Sequence, residues 1–385
     1  MELKGITWDH ERGYNPLIPV SERFCAEHPG VSITWAKRSL KDFGDFPVSR
    51  LVDTYDLIMI DHPFMTEALK EKLLLVINDY LEPGYLEIQK KESLGLSLDS
   101  YCVNGLFQAL PVDAATQVSA ANMELMNERH AGIPKTLDEV FALKDKLGVY
   151  RIGTAMAATD IFSIYLGLVA QQTGTGYFDT ETGVDPEAGE RAALLLYKLA
   201  EISDPSSFEM NPIQLLDAMS NEGKIAYTPY IYGYTNYSRD GFRKRLLEFW
   251  DAPLINQRAE VSTQMGGVGI SISSRIAPEK IRTAVEFAEY LASPDIQRGI
   301  YTKADGQPAA LSAWSDKENN RITHGFFRNT AATLETSFIR PKVARWNSFQ
   351  EEASVVLHSE IKEKKSATAV TSHFNELYRE ICAAK

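Results

Sequence analysis

The sequence predicts an α/β protein in which strands and helices alternate to build doubly wound sheets. Short β-rich runs at residues 6–8 and 31–35 are separated by a helix-like stretch at 16–27. The apolar run Leu57-Ile-Met-Ile60 between Asp56 and Asp61 is typical of a parallel strand buried on both faces. Strands that alternate with helices in this way indicate βαβ units and a doubly wound sheet.

Length and composition indicate two domains of a soluble globular protein. The chain has 385 residues, too many for one core, with 44% hydrophobic and 24% charged residues. Its formal net charge of -12 argues against a nucleic-acid partner, because binding phosphates needs a positive field. No apolar stretch is long enough to cross a bilayer.

The N-terminus and the cysteines leave the compartment open. Met1 leads directly into a strand-like run, without the basic start, apolar middle and small-residue cleavage site of a signal peptide. We therefore expect either that a leader was removed from a periplasmic protein or that the protein stays in the cytoplasm. The cysteines Cys25, Cys102 and Cys382 are widely spaced and form no metal or redox motif, so we expect buried structural cysteines.

Further elements follow along the chain. The segment 105–122 predicts two short β pieces around Pro111 to Asp113, followed by an amphipathic helix. Thr136 and Glu139 have the spacing of an N-cap that opens the next helix. A glycine-led strand is predicted at 266–272, and a helix with proline at its start is predicted at 278–291.

Several of these segments, in this order, resemble family 1 of the bacterial extracellular solute-binding proteins, the maltose-binding-like group. The segments that carry the resemblance are GLFQALPVDAATQV at 105–118, NMEL at 122–125, AGIPKTLDE at 131–139, GGVGISI at 266–272, AVEFAEYLASPDIQ at 284–297, DGQPA at 305–309 and RP at 340–341. The resemblance implies two doubly wound α/β lobes joined by a three-segment hinge, as in type II periplasmic binding proteins.

The resemblance also implies how the chain is divided. The first lobe is expected from residues 1–111 plus 264–312, and the second from 117–261 plus 318–385. The crossings are expected near 112–116, 262–263 and 313–317. Ligand would lie in the cleft at the carboxyl ends of the strands, where open α/β sheets bind ligands, and hinge closure would bury it.

The function implied is that of the substrate-binding component of an ABC importer. Such a protein is a periplasmic monomer without a cofactor that captures a small polar solute, here a sugar or sugar derivative, and delivers it to permease subunits of the inner membrane. An enzyme is not expected, because the phosphate-loop, nucleophile-elbow and zinc-protease signatures are missing. Two alternatives stay open: a cytoplasmic enzyme or ligand sensor on the same scaffold, and a periplasmic binder that serves a chemoreceptor.

Candidate ligand contacts in the first lobe follow two predicted strands. Trp8, Asp9 and His10 follow the first strand, and Asp61 and His62 follow the apolar strand. Carboxylates accept hydrogen bonds from sugar hydroxyls, and aromatic faces pack on sugar rings. The alternative is that Asp9 and Asp61 only cap the helices that follow. The Asp-His pairs also allow a metal site, but no fixed spacing supports one, and we predict none.

Charged residues elsewhere add candidates, each with an alternative. Asp113 lies in the first crossing and either contacts ligand or serves the turn, and Asp160 follows a second-lobe strand and either contacts ligand or caps a helix. Arg12 and Arg340 each present a donor fork suited to a carboxylate or phosphate. Arg38 is expected to be a solvated surface residue.

The remaining candidates are aromatic residues and glycines. Tyr230 and Tyr232 belong to a tyrosine-rich run, and Trp314 lies near the last crossing, where it could stack on a ring. Gly266 and Gly267 either allow the backbone to approach a ligand or form a tight hinge turn. Aromatic and carboxylate groups favour a neutral sugar, whereas the arginines leave an acidic or phosphorylated ligand open.

Overall fold

The predicted strands are present in the computed structural model, which describes residues 1–40 and 48–383. In chain order, the strands among these residues are β1 Glu2–Trp8, β2 Ser32–Arg38, β3 Leu57–Ile60, β4 Cys102–Val103, β5 Leu106–Phe107, β6 Ala109–Ala121, β7 Arg151–Ile152, β8 Ile225–Tyr232, β9 Glu248–Trp250 and β10 Met265–Ile272.

Helices lie between β1 and β2, between β3 and β4, and on both sides of β7. Among the described residues they are α1 Glu11–Tyr14, α2 Leu17–Glu27, α3 Met65–Lys70, α4 Tyr85–Glu92, α5 Ser97–Ser100, α6 Met123–Glu128, α7 Leu137–Leu147, α8 Ala158–Thr173, α9 Pro186–Ile202, α10 Pro212–Asn221, α11 Pro278–Ala292, α12 Pro294–Ile296, α13 Leu311–Ser315, α14 Lys317–Ile322, α15 Phe326–Glu335, α16 Trp346–Lys362 and α17 Ala367–Tyr378.

The chain divides into two units, each made of two separated segments. The first unit comprises Met1–Ala115 and Gly266–Arg321, and the second comprises Thr116–Met265 and Ile322–Lys385. The chain therefore passes from one unit to the other three times. Bending at these crossings stays a prediction of the sequence.

The first unit is built on a mixed sheet in the order β2-β1-β3-β10-β6. Strand β1 is parallel to both β2 and β3, whereas β10 is antiparallel to β3. Side chains of β3 alternate between two hydrophobic cores: Leu57 and Met59 join one, and Ile58 and Ile60 join the other. Burial on both faces explains why this strand is an unbroken apolar run. The carboxyl ends of β1 and β3 lie side by side at one edge of the sheet.

The second unit contains its own hydrophobic core and a smaller set of strands. Strand β8 is antiparallel to β6 and parallel to β7, and β9 pairs with β6. The N-cap predicted from Thr136 is confirmed, because its hydroxyl accepts a hydrogen bond from the Glu139 amide at the start of α7.

The helix predicted after Asp113 is wrong, because β6 continues as a strand to Ala121. The alanine-rich segment favours a helix when considered alone. Every residue of β6 is buried, however, and strands pair along its length, so tertiary packing overrides the local propensity. Helix α6 begins only after Asn122, whose side chain caps it.

Gly267 has a conformation and a position that only glycine fits. Its φ is +131°, and a Cβ atom there would collide with the carbonyl oxygen of Asp113 and lie 3.2 Å from Cα of Ala114. The close backbone approach predicted at Gly267 is therefore an approach to Asp113 and Ala114 of β6. A contact between this residue and a ligand stays a prediction.

We predict that Gly267→Ala lowers the free energy of unfolding by more than about 1 kcal/mol, because it adds a clash to an unfavourable φ. Gly132→Ala is the matched control, since a Cβ atom there meets nothing within 4 Å. Thermal unfolding of the two variants checks this, and equal melting temperatures would contradict it.

Candidate functional site

The predicted contacts of the first unit lie where β1 and β3 end. His10 caps the short helix α1, with Nδ1 accepting a hydrogen bond from the Arg12 amide at 3.0 Å. Asp61 caps the turn that follows β3, with Oδ1 accepting from the His62 amide at 2.7 Å. Asp61 therefore has a capping role, and its contact with a ligand stays a prediction. Asp9 has another role, since its exposed carboxylate pairs with Lys37 at 2.7 Å.

A buried ion pair joins Arg12 to Asp113. Nε of Arg12 donates to Oδ2 of Asp113 at 2.7 Å, and a second guanidinium nitrogen donates to Oδ1. The two residues are 4% and 1% exposed. This two-point contact uses the planar donor fork of arginine on a carboxylate of the same unit. The structure thus gives Arg12 a carboxylate partner within the protein, and contact of either residue with a ligand stays a prediction.

Electrostatics link this pair to the two strand ends. Burial raises the pKa of the Asp113 carboxyl, and the Arg12 guanidinium opposes that rise. The negative charge of Asp61 also raises the Asp113 pKa, so the two carboxyl groups are close enough to interact. Tyr301 is buried against the same group, and its pKa is raised well above the usual value by burial and by Asp113. The structure therefore gathers Asp61, Arg12 and Asp113 at one edge of the first unit.

Two indole rings of the first unit, those of Trp8 and Trp314, lie in its interior. Trp8 is buried in the core, where its ring packs directly against Gly13. Trp314 is buried too, and its Nε1 donates to the carbonyl of Pro308 at 2.6 Å. Stacking of Trp8 or Trp314 on a solute stays a prediction.

Arg38 corrects one expectation. Its side chain is buried instead of solvated, and a guanidinium nitrogen donates to the carbonyl of Met59 at 3.1 Å. Arg38 ends the edge strand β2, and its long side chain reaches the backbone of β3.

In the second unit, the acidic candidate is Asp160. It lies in the first turn of α8, where Ala157 is the N-cap residue, so the capping alternative is not supported. Its side chain is nearly buried, and no described residue forms a hydrogen bond or an ion pair with its carboxyl. Burial alone raises the pKa of Asp160 to about 8.

A chain of neutral polar groups lies on the same side of α8. Ser163, one turn after Asp160, accepts a hydrogen bond from Nε2 of Gln264 at 3.0 Å. The same nitrogen lies 3.0 Å from the hydroxyl of Tyr232. Gln117 is the register partner of Tyr232 across β6 and β8, which places both side chains on one face of the strands. The structure therefore joins Tyr232 to residues that the sequence did not suggest.

Tyr230 and Arg340 have defined partners inside the second unit. The Tyr230 hydroxyl is buried and donates to the carbonyl of Pro253 at 2.6 Å. Arg340 is also buried, with a contact of 3.4 Å to Oε1 of Gln350. It also counteracts the rise that burial produces in the pKa of Tyr177. Contacts of Tyr230 and Arg340 with a ligand stay predictions.

Residues 1–40 and 48–383 contain no group of three or more His, Cys, Asp or Glu side chains placed to hold a metal ion. In that part of the chain, no helix has the length and the apolar character needed to cross a bilayer.

Sequence reasoning missed Ser163, Gln264, Tyr301 and Gln307. Only Ser163 had a usable signal, since it lies one helical turn after Asp160. Gln307 pairs with Ala114 in both directions, its side chain donating at 2.8 Å and its carbonyl accepting at 3.2 Å. These contacts join residues that are far apart in the chain.

We predict that Asp113→Ala lowers the free energy of unfolding by about 3–5 kcal/mol, because it leaves the Arg12 guanidinium buried without its carboxylate. The double variant Arg12→Met with Asp113→Leu should cost less than the two single changes together. Denaturant unfolding gives both values.

Glu318→Ala is the control, because it breaks an ion pair with Arg321 whose side chains are half or more exposed. It should leave the unfolding midpoint in place. An Asp113→Ala midpoint equal to that of the control would contradict a stabilising role for the buried pair.

Residues 8–298 match the sequence profile described as bacterial extracellular solute-binding protein. No protein among the curated sequences matches the chain.

Solved structures of the same fold cover nearly the whole chain. The GacH receptor of Streptomyces glaucescens, solved unliganded and with acarbose, is 15% identical with a TM-score of 0.81 over 99% of this chain and 98% of its own. Maltose-bound MalE3 of T. maritima gives 15% and 0.81 over 98% and 99%. UgpB of Mycobacterium tuberculosis, with glycerophosphocholine, gives 15% and 0.81 over 99% and 98%.

At 15% identity these likenesses show the fold, which confirms the mixed α/β fold of the periplasmic sugar-binding proteins. The family is shown by the sequence profile, which covers most of the chain. This protein is therefore a member of the bacterial extracellular solute-binding protein family.

Proposed function

We propose that this protein is the substrate-binding component of an ABC importer and captures a neutral sugar or sugar derivative. The observation that carries the choice of a neutral ligand is the Arg12 to Asp113 pair, in which a carboxylate of the protein already occupies the arginine fork. The arginine candidates are the reason that the sequence leaves an acidic ligand open. With Arg12 paired, Arg340 is the arginine candidate that is left, and the other polar candidates are carboxyl and neutral groups.

We further propose that the solute is held between the two units and that bending at the chain crossings closes them over it. Asp61 and His62 would contribute from the first unit, and Asp160 and Tyr232 from the second. These groups offer acceptors and donors to hydroxyl groups, and none of the four presents a fixed positive charge. A solute that binds the closed state more tightly would shift the population toward that state.

The proposal includes a periplasmic location, a monomeric state and delivery to permease subunits of the inner membrane. Membership of an extracellular solute-binding family supports the location. The ligands of GacH and MalE3, acarbose and maltose, support a sugar, whereas glycerophosphocholine in UgpB marks a charged alternative.

A solute panel tests this function. Maltose, D-tagatose and ribitol represent neutral ligands, and gluconate, glucose 6-phosphate and glycerophosphocholine represent charged ones. We predict that a neutral member stabilises the protein, by about 2.7 kcal/mol at one hundred times its Kd. We also predict that Asp61→Ala weakens that binding about tenfold, because it removes an acceptor. Thermal shift followed by titration calorimetry measures both effects.

The exposed variant Glu318→Ala should bind like the wild type. Stabilisation by the phosphorylated or acidic solutes alone would contradict the neutral class. Turnover of a bound solute by the purified protein would contradict a pure binding function.

A further inference from the structure

The start of α8 holds a largely buried carboxyl group, that of Asp160, which pairs with no described residue. Asp160 is 8% exposed and lies in the first turn of this 16-residue helix. No described residue pairs with its carboxyl. A buried polar group without a partner is costly, so such groups in native proteins usually have a partner supplied by the protein, water or a ligand.

The groups beside Asp160 are neutral and include one fully buried atom without a partner. Gln264 is 1% exposed and uses Nε2 on Ser163 and Tyr232, while its Oε1 is buried with no hydrogen-bond partner among the described residues. Two unused polar groups therefore lie close to the same turn of α8. The buried Gln264 oxygen thus indicates, independently of Asp160, that a ligand binds at this place.

Ionisable side chains contact the segment beside this end of the helix, but they do not change the pKa of Asp160. The residues before α8 bond to the segment 205–210 through the amides of Met156 and Ala157. Two residues of α16 contact that segment. His358 lies 3.0 Å from the Phe208 carbonyl, and Lys362 pairs with Glu209 at 2.6 Å. None of these groups shifts the pKa of Asp160, which burial alone raises to about 8. The helix N-terminus favours negative charge, but that effect is smaller than a shift from 3.8 to about 8.

We propose that Asp160 contacts the captured solute as an uncharged carboxylic acid, so that capture of a neutral solute weakens when this group ionises. The inference rests on the proposed function and adds a regulatory property to the same site. An uncharged carboxyl offers one hydrogen-bond donor and one acceptor, which matches a solute hydroxyl in both directions. No cation is needed to balance it.

The expected pH dependence follows from burial. A solute seated on Asp160 removes its remaining water, so the bound state holds the proton more tightly than the free state. Affinity is then constant at low pH and declines as pH rises through the pKa of the free protein, near 8. Binding near this pH should take up protons from the buffer.

The test compares the wild type with Asp160→Asn and Asp160→Ala. The probes are maltose, D-tagatose and ribitol, measured by titration calorimetry from pH 6 to pH 9.5. Asparagine has the shape of the uncharged acid, so Asp160→Asn should bind within about threefold of the wild type at pH 6.5 and stay constant to pH 9.5. The wild type should lose about tenfold over that range, and Asp160→Ala should be at least about tenfold weaker at pH 6.5.

The control is Asp145→Asn, which changes an exposed carboxyl group on α7 of the same unit. It should follow the wild type at every pH. Proton uptake, measured in buffers of different ionisation enthalpy near pH 8, should occur in the wild type and be absent in Asp160→Asn.

A second readout needs no solute. A group whose pKa is higher in the folded than in the unfolded protein loses its stabilising contribution as pH rises between the two values. The melting temperature of Asp160→Asn should therefore exceed that of the wild type by a margin that widens from about pH 4 to about pH 8 and then stays constant. A margin that does not change with pH would overturn the inference.

The remaining outcomes separate the inference from the proposed function. If Asp160→Asn binds as weakly as Asp160→Ala while the wild type is unchanged to pH 9.5, the ionised form is the one that binds, and the inference is wrong. If all variants bind alike, Asp160 does not contact the solute, and the proposed function survives alone. If the wild type binds none of the probes, the proposed function itself fails.

Discussion

A buried ion pair between Arg12 and Asp113 joins two segments of the first unit that are 101 positions apart in the chain. Arg12 lies in the short helix after β1, and Asp113 lies in β6, two residues before the chain leaves that unit. The pair thus ties a predicted ligand-binding loop to the first crossing. Gly267 and Gln307 complete this region, since one packs against the Asp113 carbonyl and the other pairs with Ala114. Loss of either charge would leave the other buried, which is why the whole region depends on this contact.

Much of the fold could be predicted from the sequence, because its signals are local. The apolar run of β3 and the N-cap of α7 are readable within a few residues, and both are confirmed. The segment after Asp113 misled for the same reason: its alanines favour a helix locally, while strands on either side make it a buried strand. Arg38 was misjudged because its burial depends on reaching another strand. The Arg12 to Asp113 contact spans 101 positions, a separation that local patterns do not report.

The candidate residues form two sets of different chemistry, one in each unit, and the sequence predicted only some members of each set. The ends of β1 and β3 predicted Asp61 and His62, and the start of α8 predicted Asp160, because strand ends and helix starts are visible in sequence. The hydrogen bonds of Gln264 to Ser163 and Tyr232 arise from tertiary packing. The first unit therefore offers carboxyl and imidazole groups with one compensated arginine, and the second offers amides, hydroxyls, a buried acid and the buried Arg340. Apart from Arg340, both sets suit hydroxyl groups better than anions, which is the physical basis for proposing a neutral solute.

The proposed function of this member of the solute-binding family is capture of a small neutral solute by closure of its two units. Small-angle X-ray scattering of the purified protein, with and without a saturating amount of the tightest-binding member of the solute panel, tests it most directly. We expect the radius of gyration to fall when the solute is added. A radius of gyration that is the same with and without bound solute would contradict closure.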